Sequence, residues 1–282
     1  MGELATDGTG RERRAGFAGS FGSASMTVAG ALLRIGSFAL PWLLLVALWS
    51  LVRWSGLVKP ALVPAPTEVA ARFWTMLTRE RFVVDIAMSS ERVLVGVALG
   101  ILCAVPAGFL LGWYRPVRRF VDPLINFFRA LPPIALIPLV IVYFGIGEVA
   151  KVVILFYAAF FAGVIVMYEG ISQISPIYLR VARTLGATDL EIFRRVVVPL
   201  TVPHILTALR VALGVAWATL VASELIAAQQ GLGAVIQNAS SFFRLDTIYV
   251  GIIAIGAIAL AMDLALRGLT RRLVAWQERI AA

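Results

Sequence analysis

Apolar residues gather along this chain into long runs, and polar residues are confined mainly to the stretches between them. A helix crossing a bilayer core of about 30 Å needs roughly 20 largely apolar residues. Six runs approach that length: Ile35–Val52, Val93–Tyr114, Leu124–Ile146, Val152–Tyr168, His204–Ser223 and Thr247–Leu266. The first two hold no charge, whereas the third carries Arg129, the fifth Arg210 and the sixth Asp263. The pattern predicts an all-α integral membrane domain of six spans over residues 31–270. Residues 1–30, rich in Gly, Ser, Ala and Arg without an apolar period, read as a disordered tail. Residues 271–282 read as a second, short tail. The first apolar run starts too late and runs too long for a cleaved secretory signal.

Two further segments are more than loops. Pro64-Ala-Pro66-Thr67 leads into an amphipathic stretch with Val69, Phe73 and Leu77 on one face, predicting a surface helix capped by Thr67. The stretch from Gly231-Leu-Gly233 to Phe243 is too polar to span and too apolar for an open loop. A short outer re-entrant helix is expected there, its backbone covered by protein or water.

Composition agrees with a lipid environment. Hydrophobic residues make up 60% of the chain and charged residues 15%, with a mean hydropathy of +0.91, whereas a soluble domain carries about 25% charged residues. The net charge of +9 sits in short clusters between apolar runs, with no basic face interleaved with aromatics, which argues against nucleic acid. With the N-terminus inside, most arginines fall on the inner side, among them Arg115, Arg118, Arg119, Arg180, Arg183, Arg194 and Arg195. That distribution places both termini on the cytoplasmic side of the membrane. Arg92 and Lys151 count as outer-side charges in this scheme. Trp42, Trp49, Trp54 and Trp113-Tyr114 read as interface anchors and packing. Cys103, the single cysteine, lies in an apolar run and reads as a small buried hydrophobe.

Residues 170–203, between the fourth and fifth runs, carry dense helix punctuation. Ser175-Pro176 sets a cap and a proline at the first helical position. The helix proceeds through Ile177, Leu179, Val181 and Leu185 to Gly186, which suits a left-handed stop. Thr188-Asp-Leu-Glu191 then matches a capping box, opening a helix expected to end at Pro199. Helix, glycine hinge, helix, with arginines around it, is an object that presents an apolar face to a partner; resting on lipid headgroups is the plainer alternative.

The stretch Ala182-Arg-Thr-Leu-Gly186-Ala, nine residues after the glycine, then Val196-Val-Val198-Pro199 resembles the cytoplasmic signature loop of binding-protein-dependent ABC importer permeases. Arg180, Val181 and Val198 stand where that family usually has Glu, Ala and Leu, so the contacts of the missing Glu are in question. Arg129-Ala-Leu-Pro132-Pro133 and Phe144-Gly-Ile-Gly147-Glu148 are similar to the nitrate/sulfonate/bicarbonate branch. Leu220-Val-Ala-Ser-Glu224 and Gly231-Leu-Gly233 look most like its taurine permeases.

The resemblance implies a type I importer fold in which the loop couples to an ATPase through Ile177, Leu179, Ala182, Arg183, Thr184, Leu185, Gly186, Ala187 and Pro199. It also implies a second copy of the permease, two ATPase subunits holding ATP and Mg, and an external solute-binding protein. The implied cargo is taurine or another sulfonate, with nitrate, bicarbonate or an aromatic carboxylate as alternatives.

Catalytic motifs are missing from the sequence. With only Lys59 and Lys151 as lysines, neither after a glycine, there is no phosphate-cradling Gly-x4-Gly-Lys-Ser/Thr loop. His204 is the single histidine, which leaves no protease dyad and no metal-ligand set; an interfacial or capping role is expected for it. An ion-coupled secondary transporter is the rival class, but no internal repeat is evident. Two charges at membrane depth are candidates for the substrate pathway. Arg210 either faces an anionic solute or snorkels to the inner headgroups. Glu224 pairs with the ammonium of an amino-sulfonate, braces the outer gate, or forms a structural cap or cross-bundle ion pair.

Overall fold

A computed structural model describes residues 39–274 except Leu57 and Pro60. The tail predicted over 1–30, the start of the first apolar run and residues 275–282 lie outside the described residues. All regular structure among the described residues is helical. The chain divides into two compact units, one ending at Thr67 and one beginning at Glu68.

In the first unit, the described residues include the apolar helix α1 (Ala39–Trp54). The Trp49 indole N–H donates to the Pro64 carbonyl at 3.1 Å, pinning the proline-rich segment back onto α1.

The second unit opens at Glu68, within α2 (Pro66–Arg79). This helix starts one residue before Thr67, so Thr67 lies in its first turn and is not its cap; Pro66 supplies a preset helical φ instead. Val69 and Met76 face the protein, while Phe73 remains exposed. Arg72 donates to Thr247 Oγ1 at 2.9 Å and grips Glu80 with both ends of its guanidinium, at 2.7 and 3.1 Å.

Helices α3 (Phe82–Trp113) and α6 (Glu148–Ser172) form the centre of the bundle. They run parallel along a stripe of small residues. A methyl group added at Gly96, Gly100, Gly108 or Gly112 would collide with Leu155, Ala159, Met167 or Ile171 respectively. Backbone approach through small residues is how helices gain dispersion contacts where lipid removes the hydrophobic driving force. Cys103 points away from this seam and is exposed, contrary to its reading as a buried residue; its neighbour Ala104 occupies the packed face.

The predicted third span is not one helix. Helices α4 (Arg115–Ala130) and α5 (Pro133–Phe144) meet at 92°. Leu131 and Pro132 adopt extended backbone, because a residue before proline is driven out of the helical region and Pro132-Pro133 imposes this twice.

The chain continues through α7 (Pro176–Thr184), α8 (Asp189–Ile192), α9 (Val198–Ala227), α10 (Leu232–Ser241) and α11 (Leu245–Leu273). The last of these carries helix into the predicted C-terminal tail. Among the described residues, four helices are long and apolar enough to cross a membrane, or five if α4 and α5 form one broken span. Six unbroken spans are therefore not found among the described residues.

Candidate functional site: a coupling loop and a buried polar clamp

At one end of the bundle lies the predicted loop, and its signals up to Glu191 all act. The Ser175 hydroxyl caps α7, accepting from the Ile177 N–H. Gly186 has φ +84°, and the Ala187 N–H reaches the Ala182 carbonyl at 3.1 Å while the Gly186 N–H reaches Arg183 at 3.0 Å. This pair of bonds is the Schellman stop, which consumes carbonyls the helix end would leave unpaired. Thr188 and Glu191 complete the reciprocal capping box of α8.

Pro199 departs from expectation: it does not end the helix. Phe193–Val197 form a π-helical turn whose closing bond runs from the Val198 N–H to the Phe193 carbonyl. The wider turn shifts the bonding register ahead of Pro199, the residue that has no N–H to contribute. Asp189–Ile226 is consequently one 38-residue helix joining the loop to the bundle.

The loop has two faces. Leu179, Ala182 and Ala187 pack inward with Ile192, Val197, Met167 and Ile171. Ile177, Tyr178, Val181, Leu185 and Leu190 are exposed, Leu185 at 82%. Thr184 and Arg183 also lie outside, and Arg183 pairs with Asp189 at 3.3 Å across the glycine turn. Both partners of that pair are solvated, so it contributes little. These apolar side chains leave the outer face of the loop open to a partner.

At the opposite end, Glu224 is enclosed, with its side chain 0% exposed. Its carboxylate accepts from Ser89 Oγ at 2.8 and 2.9 Å, Arg92 Nη1 at 2.6 Å and the Gly233 N–H at 2.8 Å. Arg92 also grips Glu148 with Nε and Nη2 at 2.5 and 2.7 Å and donates to the Gln230 carbonyl at 2.8 Å. Lys151 Nζ meets Glu148 at 2.9 Å. Two cations and two carboxylates thus tie α3, α6 and α9 together in a charge-balanced cluster, as burial of charge requires.

The cluster also holds α10. Its N-cap, Gly231, has no side chain, so neighbouring helices supply the cap. The N–H groups of Gly231, Leu232 and Gly233 donate to Asp85 Oδ1, Ser89 Oγ and Glu224 Oε2 at 2.8–2.9 Å. These are donors that a helix start leaves without intrahelical partners. Gly231 has φ +122°, and a Cβ there would lie 2.6 Å from Glu224 Oε1 and 2.7 Å from Arg92 Nη1, so the close approach requires glycine.

Arg210 and Glu224 are not brought together. Arg210 pairs with Asp263 on α11, which also receives Arg267 at 2.8 Å. His204 packs against Gly170 of α6, where an added methyl would strike its ring. Arg92 and Lys151, counted as outer charges from the sequence, are buried members of the clamp. A signal for them existed: Asp85, Ser89 and Arg92 continue the Gly96–Gly100 face in steps of three and four, and Lys151 continues Leu155–Ala159.

The family described as the binding-protein-dependent transport system inner membrane component matches residues 96–277. A probable ABC transporter permease protein of Brucella abortus (strain 2308) is 46% identical over 231 residues, covering 82% of this chain and 91% of that relative. The taurine transport system permease protein TauC of Escherichia coli (strain K12) is 34% identical over 253 residues, 88% and 90% of the two chains. In fold, the chain resembles the inward-facing MetNI methionine ABC transporter, with a TM-score of 0.61 at 21% identity over 68% of this chain and 95% of that one. This chain belongs to the binding-protein-dependent ABC importer permeases. It is a multi-pass inner-membrane subunit without a catalytic role, and ATP is hydrolysed by a separate partner.

The glycine turn gives a first expected outcome. No atom lies within 4 Å of a Cβ built at Gly186, so any substitution cost is conformational. A left-handed residue other than glycine costs about 1–2 kcal/mol, least for asparagine and most for β-branched residues. Gly186→Val is expected to lower solute moved per ATP hydrolysed, while Gly186→Asn stays close to the parent. Parallel uptake and phosphate-release assays in proteoliposomes check this; equal ratios for both variants would show that the turn is not a coupling element.

Proposed function

We propose that two copies of this permease form the pathway for a small anionic or zwitterionic solute, taurine or another sulfonate. Each copy is coupled through residues 177–199 to one of two ATPase subunits, and an external solute-binding protein delivers cargo. The termini face the cytoplasm. The observation that carries the reading is the exposed apolar face of α7 and α8 mounted on the continuous helix from Asp189 to Ile226. A helix of that length transmits a displacement at the loop to the far end of the bundle, where Glu224 joins the clamp. In this scheme ATP-driven closure of the ATPase pair moves the loops and rotates the spans, so that access alternates between the two sides.

Glu224 serves as the brace of the outer end, since its acceptors are taken by Ser89, Arg92 and Gly233. Arg210, its charge answered by Asp263, holds α9 to α11. The sulfonate assignment draws on the relatives named for taurine and for aliphatic sulfonates, 34% and 33% identical. The test is ATP-driven uptake by the permease reconstituted with its ATPase and binding protein. Taurine or alkanesulfonate uptake is expected; uptake of nitrate or a carboxylate with no sulfonate uptake would refute the cargo.

A further inference from the structure

Two cavities meet beneath the coupling loop. One, of about 490 Å³, is basic: Arg115 and Arg118 from the start of α4 and Arg183 from α7 face a single acid, Asp189. The other, of about 620 Å³, is apolar, with Val105, Pro106 and Leu110 of α3 opposite Leu190 and Phe193. Trp113 and Asp189 line both, so the two adjoin. The shared wall is rigid, because Phe109 and Trp113 pack edge-on to Phe193 with ring centroids 5.3 and 5.7 Å apart.

The charges in the basic cavity do not cancel. Asp189 is engaged by Arg183. Arg118 is held with its guanidinium 4.4 Å from the centre of the Tyr168 ring, and Arg115 makes no ion pair among the described residues. The apolar cavity follows α3 from Trp113 back to Val105, about 12 Å along the helix axis. That path runs along a helix long and apolar enough to cross a membrane. An anion is wanted at one end and a hydrocarbon chain at the other.

We infer that this paired cavity binds one anionic phospholipid, its phosphate among Arg115, Arg118 and Arg183 and an acyl chain along α3 beside Trp113. Basic pockets between helices on the cytoplasmic side recognise lipid phosphates, with about fivefold in affinity per arginine. The lipid would lie against the Arg183–Asp189 pair that closes the Gly186 turn, wedged between the coupling loop and α3. Assignment to the cytoplasmic leaflet rests on the orientation proposed above; headgroup selectivity does not.

The test uses the full permease in phosphatidylcholine nanodiscs doped with brominated phosphatidylglycerol or brominated phosphatidylcholine. The Trp113 signal is isolated as the difference from Trp113→Phe. Brominated phosphatidylglycerol is expected to quench it at a several-fold lower mole fraction than the choline lipid. Arg115→Gln and Arg118→Gln should each reduce that preference. Equal quenching by the two lipids, or no effect of either variant, overturns the inference. Relief of quenching by millimolar inorganic phosphate would make this a free-anion site, and relief by added ATPase subunit would make it a protein contact; both overturn it. Nanodiscs present both leaflets alike, so the result is independent of sidedness. Sidedness is read separately by labelling Thr184→Cys in a Cys103→Ala background.

Discussion

Arg92→Met is expected to destabilise the permease by about 3–5 kcal/mol, the largest effect of any single substitution considered. The physical reason is not the lost pair as such. A buried ion pair often contributes little against an apolar replacement of the same shape, whereas removing one partner strands the other charge. Here the stranded group is Glu224, whose side chain has no exposure and keeps only Ser89 and the Gly233 N–H as donors. Glu148 fares better, being 55% exposed and still paired with Lys151. Glu224→Gln should cost less, because an amide oxygen still accepts from Ser89 and Gly233. It is expected to slow uptake while leaving assembly with the ATPase intact. Combining Arg92→Met with Glu224→Gln should recover much of the stability lost in Arg92→Met alone. Thermal unfolding in detergent, read for the three variants, checks the order. Parental stability for Arg92→Met would mean that the clamp does not hold the bundle end together.

The second large effect concerns the opposite end. Leu185→Asp is expected to weaken association with the ATPase by about 30- to 1,000-fold, equivalent to about 2–4 kcal/mol at a well-buried interface position. Leu185 is 82% exposed, so the substitution costs the isolated permease almost nothing and its effect belongs to the interface. In the complex a carboxylate would be desolvated without a partner. Ala187→Asp would confuse the result, because Ala187 packs inward against the cluster around Ile192 and Val197. Co-purification of the parent and Leu185→Asp with the ATPase, beside unfolding curves for each, gives the answer. Undiminished association in Leu185→Asp would remove this face from the docking surface.

The two ends are linked by α9. Its C-terminal end carries Glu224, and its N-terminal end runs through the π-helical turn into α8 without a break at Pro199. A swivel at Pro199 would decouple the loop from the clamp. The wider turn removes that swivel and leaves the conformational freedom at Gly186, between α7 and α8.

What the sequence determined by itself was local. The Ser175 cap, the Gly186 stop and the Thr188–Glu191 box depend on hydrogen bonds between residues at most five apart, so residue type and spacing suffice to place them. The apolar runs likewise marked where long helices lie, because bilayer thickness sets their length. Packing decided the rest. Arg92 meets Glu148 and Glu224 across 56 and 132 residues of chain, and Arg210 meets Asp263 across 53. Whether a charge near a span end faces water or a buried counter-ion depends on which helices adjoin it, a choice made by the glycine seam between α3 and α6. Pro199 was misread for a related reason. A proline ends a helix only when the displaced bonds find no other register, and here the preceding turn widens to provide one.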